Sequence, residues 1–168
     1  MNTVIRPESP SDVAAIHAVT VAAFLNAPHT DHTEQFVVAG LRRAGVLSVS
    51  LVAERAGVIV GHVAVSPVSI SDGSSDWYGL GPISVVPDLQ GQGIGSLLMN
   101  EALRRLRERG AAGCVLLGDP DYYHRFGFRV EPGIVLLGAP PEYFQALPFG
   151  PSMPSGAVSY HEAFDARS

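Results

Sequence analysis

The stretch from Ile83 to Ser96 constrains the fold more than any other part of the chain. Ile83-Ser84-Val85-Val86 is a short β-branched run, and Pro87 to Gln92 is a turn. Ile94, Leu98, Ala102 and Leu106 then recur at helical spacing. A strand that feeds through a turn straight into an amphipathic helix belongs to a layered α/β architecture. Glycines 91, 93 and 95 stand where that helix begins. The first N–H groups of a helix have no internal partner and sit at the positive end of its dipole. With no side chains in the way, such a terminus suits a pyrophosphate. A glycine turn can also do no more than bend the chain. The dinucleotide pattern G-x-G-x-x-G fails here, because Gly91 and Gly93 are followed by Ser96.

Composition removes several alternatives. The net charge of −5 does not suit a phosphate-backbone binder. All eleven basic residues are arginines. A P-loop needs a lysine for its phosphates and a pyridoxal enzyme needs one for its Schiff base, so both are excluded. The single cysteine, Cys114, lies in an apolar segment and reads as a small core residue. No apolar run approaches the roughly 18 residues of a membrane span, and the N-terminus lacks a signal-peptide pattern. A cytoplasmic location and one domain over residues 1–168 are the expectations.

The remaining segments predict a mixed sheet with helices on both faces. Residues 4–6 read as a first strand. Ser9-Pro10-Ser11-Asp12 opens a helix that runs to about Phe24. A second helix is expected from Asp31 to Gly45, with Asp31-x-x-Glu34 as a capping box. Strands are expected over 48–55, 58–70 and 77–86, the last distorted by Gly79, Gly81 and Pro82. The long helix covers 94–109, a buried strand 113–118 and a short helix 119–126. Residues 130–138 are expected as a strand, 140–146 as a helical turn and 157–160 as a strand closing the sheet.

Two motifs together carry a resemblance. Gln90-x-x-Gly93-x-Gly95 is similar to the Q/R-x-x-G-x-G/A signature of the GNAT superfamily of N-acetyltransferases. Asp119 to Phe128 resembles the family's later block, in which a tyrosine stands four residues before a Gly-Phe pair; Tyr123 stands four before Gly127. The resemblance covers residues from about Val4 to Phe128 and includes a compact bacterial branch. It implies a mostly antiparallel sheet split into a V between the strands ending near Val86 and Gly118. It also implies acetyl-CoA as co-substrate. Its pantetheine arm would lie along Ile83, Ser84 and Val85, and its pyrophosphate on Gln90, Gly91, Gln92, Gly93, Ile94, Gly95 and Ser96. The acceptor, a small-molecule or peptide amine, would enter near residues 26–34. Neither nucleic acid nor membrane is expected as a partner, and a homodimer is compatible with the sequence.

In that frame Tyr123 would protonate the leaving thiolate, with Tyr122 as the fallback, and the Val85 amide would stabilise the oxyanion. No carboxylate stands in Ile83-Ser84-Val85, so the general base is unassigned, with Glu34 as a candidate beside its capping role. His29, Asp31 and His32 form a polar loop rather than a metal site, His62 is structural and His124 lies on the surface. The competing function is a non-catalytic acyl-CoA-binding regulatory module.

Overall fold

The computed structural model describes residues 2–28 and 30–168. Its elements are β1 (Thr3–Pro7), α1 (Val13–Phe24), α2 (Glu34–Arg43), β2 (Val49–Arg55), β3 (Val58–Pro67), β4 (Ser69–Ile70), β5 (Trp77–Val85), α3 (Ile94–Glu108), β6 (Gly113–Leu117), α4 (Pro120–Tyr123), β7 (Ile134–Val135), β8 (Phe144–Pro148) and β9 (Gly156–Ser159). Six strands form the main sheet in the order β1-β2-β3-β5-β6-β8. Every pairing in it is antiparallel except β5 with β6.

The parallel pair holds for three positions only, Trp77 to Gly79 against Gly113 to Val115. Beyond Gly79 the strands part, which is the expected V-shaped split. A bulge in β5 accompanies it. Val63 pairs with Ile83 and Val65 with Leu80, so three steps along β5 oppose two along β3. Gly81 sits in the extra stretch at φ +141°, a conformation closed to other residues. Side chains alternate along a strand, so one inserted residue reverses their phase. Trp77 accordingly packs with Val115 and Phe144 on one face. Ile83 and Val85 pack on the other, against the cluster that holds Leu98, Met99 and Leu106 of α3.

α3 buries Ile94, Leu98, Met99, Ala102, Leu103 and Leu106. That apolar stripe, one residue every three or four, fixes the helix against β1, β2, β3 and β5. α1 crosses the opposite face, over β3 and β5. Its entry is tied by Asp12, which is buried and accepts both guanidinium N–H groups of Arg6 at 2.7 and 3.1 Å and the Ser9 amide at 2.7 Å.

Several expectations are corrected. α2 starts at Glu34, with Thr33 rather than Asp31 as N-cap. The strand expected over 58–70 breaks between Pro67 and Ser69. Of 130–138 only Ile134 and Val135 pair, since Pro132 has no N–H to donate and Gly138 turns the chain at φ +85°. Residues 141–143 make the expected helical turn, but Phe144 to Pro148 then form β8 on the free side of β6. β9 closes no part of the main sheet and instead joins β4 and β7 in a small separate one. Among the described residues no helix is long and apolar enough to cross a membrane.

Candidate active site

The Val86 amide donates to Val60 on β3 at 2.9 Å. By strand alternation Ser84 also turns its peptide groups toward β3, while those of Ile83 and Val85 face the split. At the end of β5 the Gln90 side chain returns and its Nε2 donates to the Val85 carbonyl at 3.0 Å. This bond folds the turn onto the strand end. Gly91 and Gly93 have φ of +76° and +89°, and Gly93 is the left-handed N-cap of α3. The first intrahelical bond runs from the Leu97 amide to the Gly93 carbonyl at 3.1 Å. The amides of Ile94, Gly95 and Ser96 therefore have no partner within the helix.

Ile83, Val85, Gln90, Gly91, Gly93, Gly95 and Ser96 line one cavity of about 360 Å³ together with Tyr122, Tyr123 and Arg125. From the sequence expectations it brings together Ile83, Val85, Gln90, Gly91, Gly93, Gly95, Ser96 and Tyr123. Ser84 is outside the lining, buried, with its hydroxyl unpartnered on the face away from α3. Gln92 is exposed and reaches back to the Asp88 carbonyl at 3.5 Å. Ile94 spends its side chain in the core, which leaves only its amide for a ligand.

Short α4 sets the tyrosines. Asp119 caps it by accepting from the Asp121 amide at 2.9 Å, and Pro120 starts it. Adjacent residues on one turn point apart, and the rings of Tyr122 and Tyr123 meet edge to face with centroids 4.9 Å apart. Tyr123 packs on Phe126, Phe128 and the core behind α3, and burial pushes its hydroxyl up to about 12. It stays protonated at neutral pH. Tyr122 reaches the start of α3, its hydroxyl 3.5 Å from Ser96 Oγ.

Arg125 was not singled out from the sequence. Its guanidinium lies 4.4 Å from the Tyr122 ring centroid and supplies the only charge in the lining among the described residues. Its place three residues after Tyr122 on a helical turn was the available signal.

A second cavity, of about 450 Å³, takes the preceding stretch of β5, Leu80 to Pro82, with Leu117 across the split. Glu34 lines it. The expected capping box is absent: Glu34 Oε2 accepts from Thr30 Oγ1 at 2.6 Å, and Oε1 is buried with no partner among the described residues. Asp31 lines the same cavity, His32 is exposed, and His29 lies outside the described residues. Among the described residues no three histidine, cysteine or acidic side chains gather as a metal site would require.

The remaining candidate residues, His62, Cys114 and His124, line neither cavity. His62 is fully buried, with Nε2 2.8 Å from Ser50 Oγ, which in turn donates to Glu8. Burial pushes the imidazole down to about 4, against the opposing charge of Glu8. Cys114 is fully buried and its thiol is pushed above the usual range, so it is no nucleophile. His124 is exposed.

Residues 47–130 match the family model described as Acetyltransferase (GNAT) domain. The Escherichia coli K12 protein named uncharacterized N-acetyltransferase YhbS is 38% identical over 127 residues, 75% of this chain and 73% of that protein. A crystal structure of a GNAT family acetyltransferase from Brucella melitensis in complex with acetyl-CoA superposes with a TM-score of 0.88 at 49% identity, covering 98% of this chain and 99% of that one. The structure of Escherichia coli YhbS in complex with CoA gives 0.89 at 33%, covering 100% and 94%. With the split sheet, the glycine-rich helix start and the paired motifs all present, the chain belongs to the GNAT family of acetyltransferases.

Proposed function

We propose that the protein uses acetyl-CoA as co-substrate and moves its acetyl group directly to a primary amine. One observation carries this: the edge of β5 at Ile83 and Val85, the glycine-rich start of α3 and Tyr123 line a single cavity. The Brucella and Escherichia coli relatives crystallised with acetyl-CoA and CoA support it. The glycines fit the group, because the cradle they leave is one that side chains would fill. A Cβ at Gly95 would lie 3.4 Å from the Tyr122 hydroxyl.

In this scheme the amides of Ile94, Gly95 and Ser96 hold the pyrophosphate, with Arg125 beside them. Ile83 and Val85 pair with the pantetheine arm as a missing strand would. The amine lone pair attacks the thioester carbon, a C–N bond forms and the C–S bond breaks. The Val85 N–H stabilises the charge that develops on the carbonyl oxygen. Tyr123 gives its proton to the departing thiolate and regains one from solvent. β5 offers no carboxylate at Ile83 to Val85; the proton lost by the amine passes to water, with Glu34 of the second cavity as the candidate base. All 168 residues work as one unit in this scheme, in the cytoplasm.

The test is incubation with acetyl-CoA and a panel of primary amines, following free thiol and the mass of the product. Acetylated amine appearing in step with thiol supports the proposal. Tight CoA binding with no transfer to any amine would turn the assignment to a regulatory CoA-binding module.

A further inference from the structure

We infer that the cavity beside Leu80 to Pro82 holds a primary amine carried on an apolar body, with the ammonium on Glu34 and the body among Phe24, Leu136, Leu137 and Phe164. The inference rests on the acetyl-transfer proposal and names its acceptor class. Three observations converge. The first is chemical. Among the described residues Glu34 Oε1 is buried without a partner while Oε2 is engaged by Thr30. A buried carboxylate oxygen without a donor is costly, and an ammonium supplies both charge and N–H groups. Asp31 adds a second negative charge to the lining, which holds no arginine among the described residues.

The second is the lining itself. Apart from Asp31, Thr33 and Glu34 it is almost wholly aliphatic or aromatic. A polyhydroxylated or polycationic acceptor would leave most of its polar groups facing carbon there. The third is the rim. Leu137 is 82% exposed and Leu117 50% exposed, both at this cavity. Apolar side chains held in water at the mouth of a pocket gain from covering by an apolar ligand. The cavity and the cofactor cleft occupy consecutive stretches of β5, so an amine anchored on Glu34 approaches the split from the side opposite α3.

The test is calorimetry on the full chain loaded with CoA, using 2-phenylethylamine and hexylamine against ethanolamine and spermidine. The two apolar amines should bind about tenfold or more tighter than ethanolamine, the scale expected for a filled apolar pocket. Glu34→Gln should weaken every amine at least about tenfold while leaving CoA affinity unchanged. Leu137→Asp, at an exposed position that cannot unfold the core, should weaken only the apolar pair. Equal binding of all four amines, no binding of any, or unchanged binding in either folded variant overturns the inference. Turnover is measured alongside with acetyl-CoA. Acetylation of ethanolamine or spermidine in preference to the apolar amines overturns the pocket assignment while acetyl transfer stands. Apolar amines that bind as stated yet are never acetylated uphold the pocket and sink the transfer proposal.

Discussion

The ring of Tyr123 lies directly over the α-carbon of Gly118, so that a Cβ built there would overlap Cε2 of the tyrosine and come within 2.9 Å of its Cδ2. Residue 118, just ahead of the Asp119 cap of α4, therefore has to be small for the tyrosine ring to keep its place. Phe126 and Phe128 hold the ring from other sides. Its direction is thus set by packing, and the residue lines the cleft.

Tyr123→Phe keeps that packing and removes the proton donor. CoA affinity should change little, and kcat should fall by about 10²–10⁴, the usual contribution of a general acid. Tyr122→Phe should be milder. Because burial raises the Tyr123 hydroxyl to about 12, its ionisation lies above the working range. The pH profile of the unmodified protein should rise as the amine deprotonates and show no fall attributable to Tyr123 up to about pH 10.5. Steady-state kinetics across pH on both variants, with CoA calorimetry in parallel, checks each point. A Tyr123→Phe variant at full rate removes the general-acid role.

Gly118→Ala should displace the tyrosine without touching the phosphate site. The overlap with the ring forces α4 or the ring to shift, and a misplacement of about 1 Å can cost about 10²-fold in rate. We expect kcat to drop while CoA Kd moves less than about threefold, the reverse of the glycine-turn variants. A folded Gly118→Ala protein with full activity would show that the ring position is not critical.

Gly95→Val should weaken CoA at least about tenfold, equivalent to about 1.4 kcal/mol. Its side chain would enter the space between the Tyr122 hydroxyl and Val85 Cγ2, which lie 3.4 and 4.0 Å from a Cβ there. Gly93→Val should also weaken CoA, but Gly93 is at φ +89°, so that substitution adds backbone strain to any loss of fit. Calorimetry with a thermal-unfolding control separates the two. Unchanged affinity in folded Gly95→Val argues against the phosphate cradle.

His62 should make the protein lose stability on mild acidification. Its folded value of about 4 lies below the ordinary 6.5, so the unfolded chain binds the proton first. The stability it contributes is present above about pH 6.5 and is lost as the pH falls toward 4. At 1.36 kcal/mol per unit the full effect is roughly 3 kcal/mol. Urea unfolding at pH 7, 5.5 and 4 should show a steeper decline for the unmodified chain than for His62→Gln. Parallel declines would assign the acid sensitivity to other groups.

The local signals that the sequence carries are short in range, and these were legible. The apolar strands over 49–67 with their turn at Ala56-Gly57, the stripe from Ile94 to Leu106, the glycines at the head of α3 and the spacing of Tyr123 from Gly127 each depend on neighbours a few residues away. With the two motifs they determined the fold family and the glycine-rich helix start that lines the cleft. Long-range pairing decided the rest. Phe144 to Pro148 follows Pro140-Pro141 and looks like a helix start, yet it is a strand because β6 offers a free edge. Ala157 to Ser159 has strand character, but its partners Ser69-Ile70 and Ile134-Val135 lie far off in the chain, and only the folded molecule places them in a separate small sheet. Glu34 is the sharpest case. Three residues after Asp31 it reads as a cap, and local spacing holds nothing that says otherwise. The tertiary structure puts Thr33 at the cap and turns the Glu34 carboxylate into a cavity lined by residues as distant as Leu137 and Phe164, because burial and pocket shape are properties of packed surfaces and not of sequence intervals.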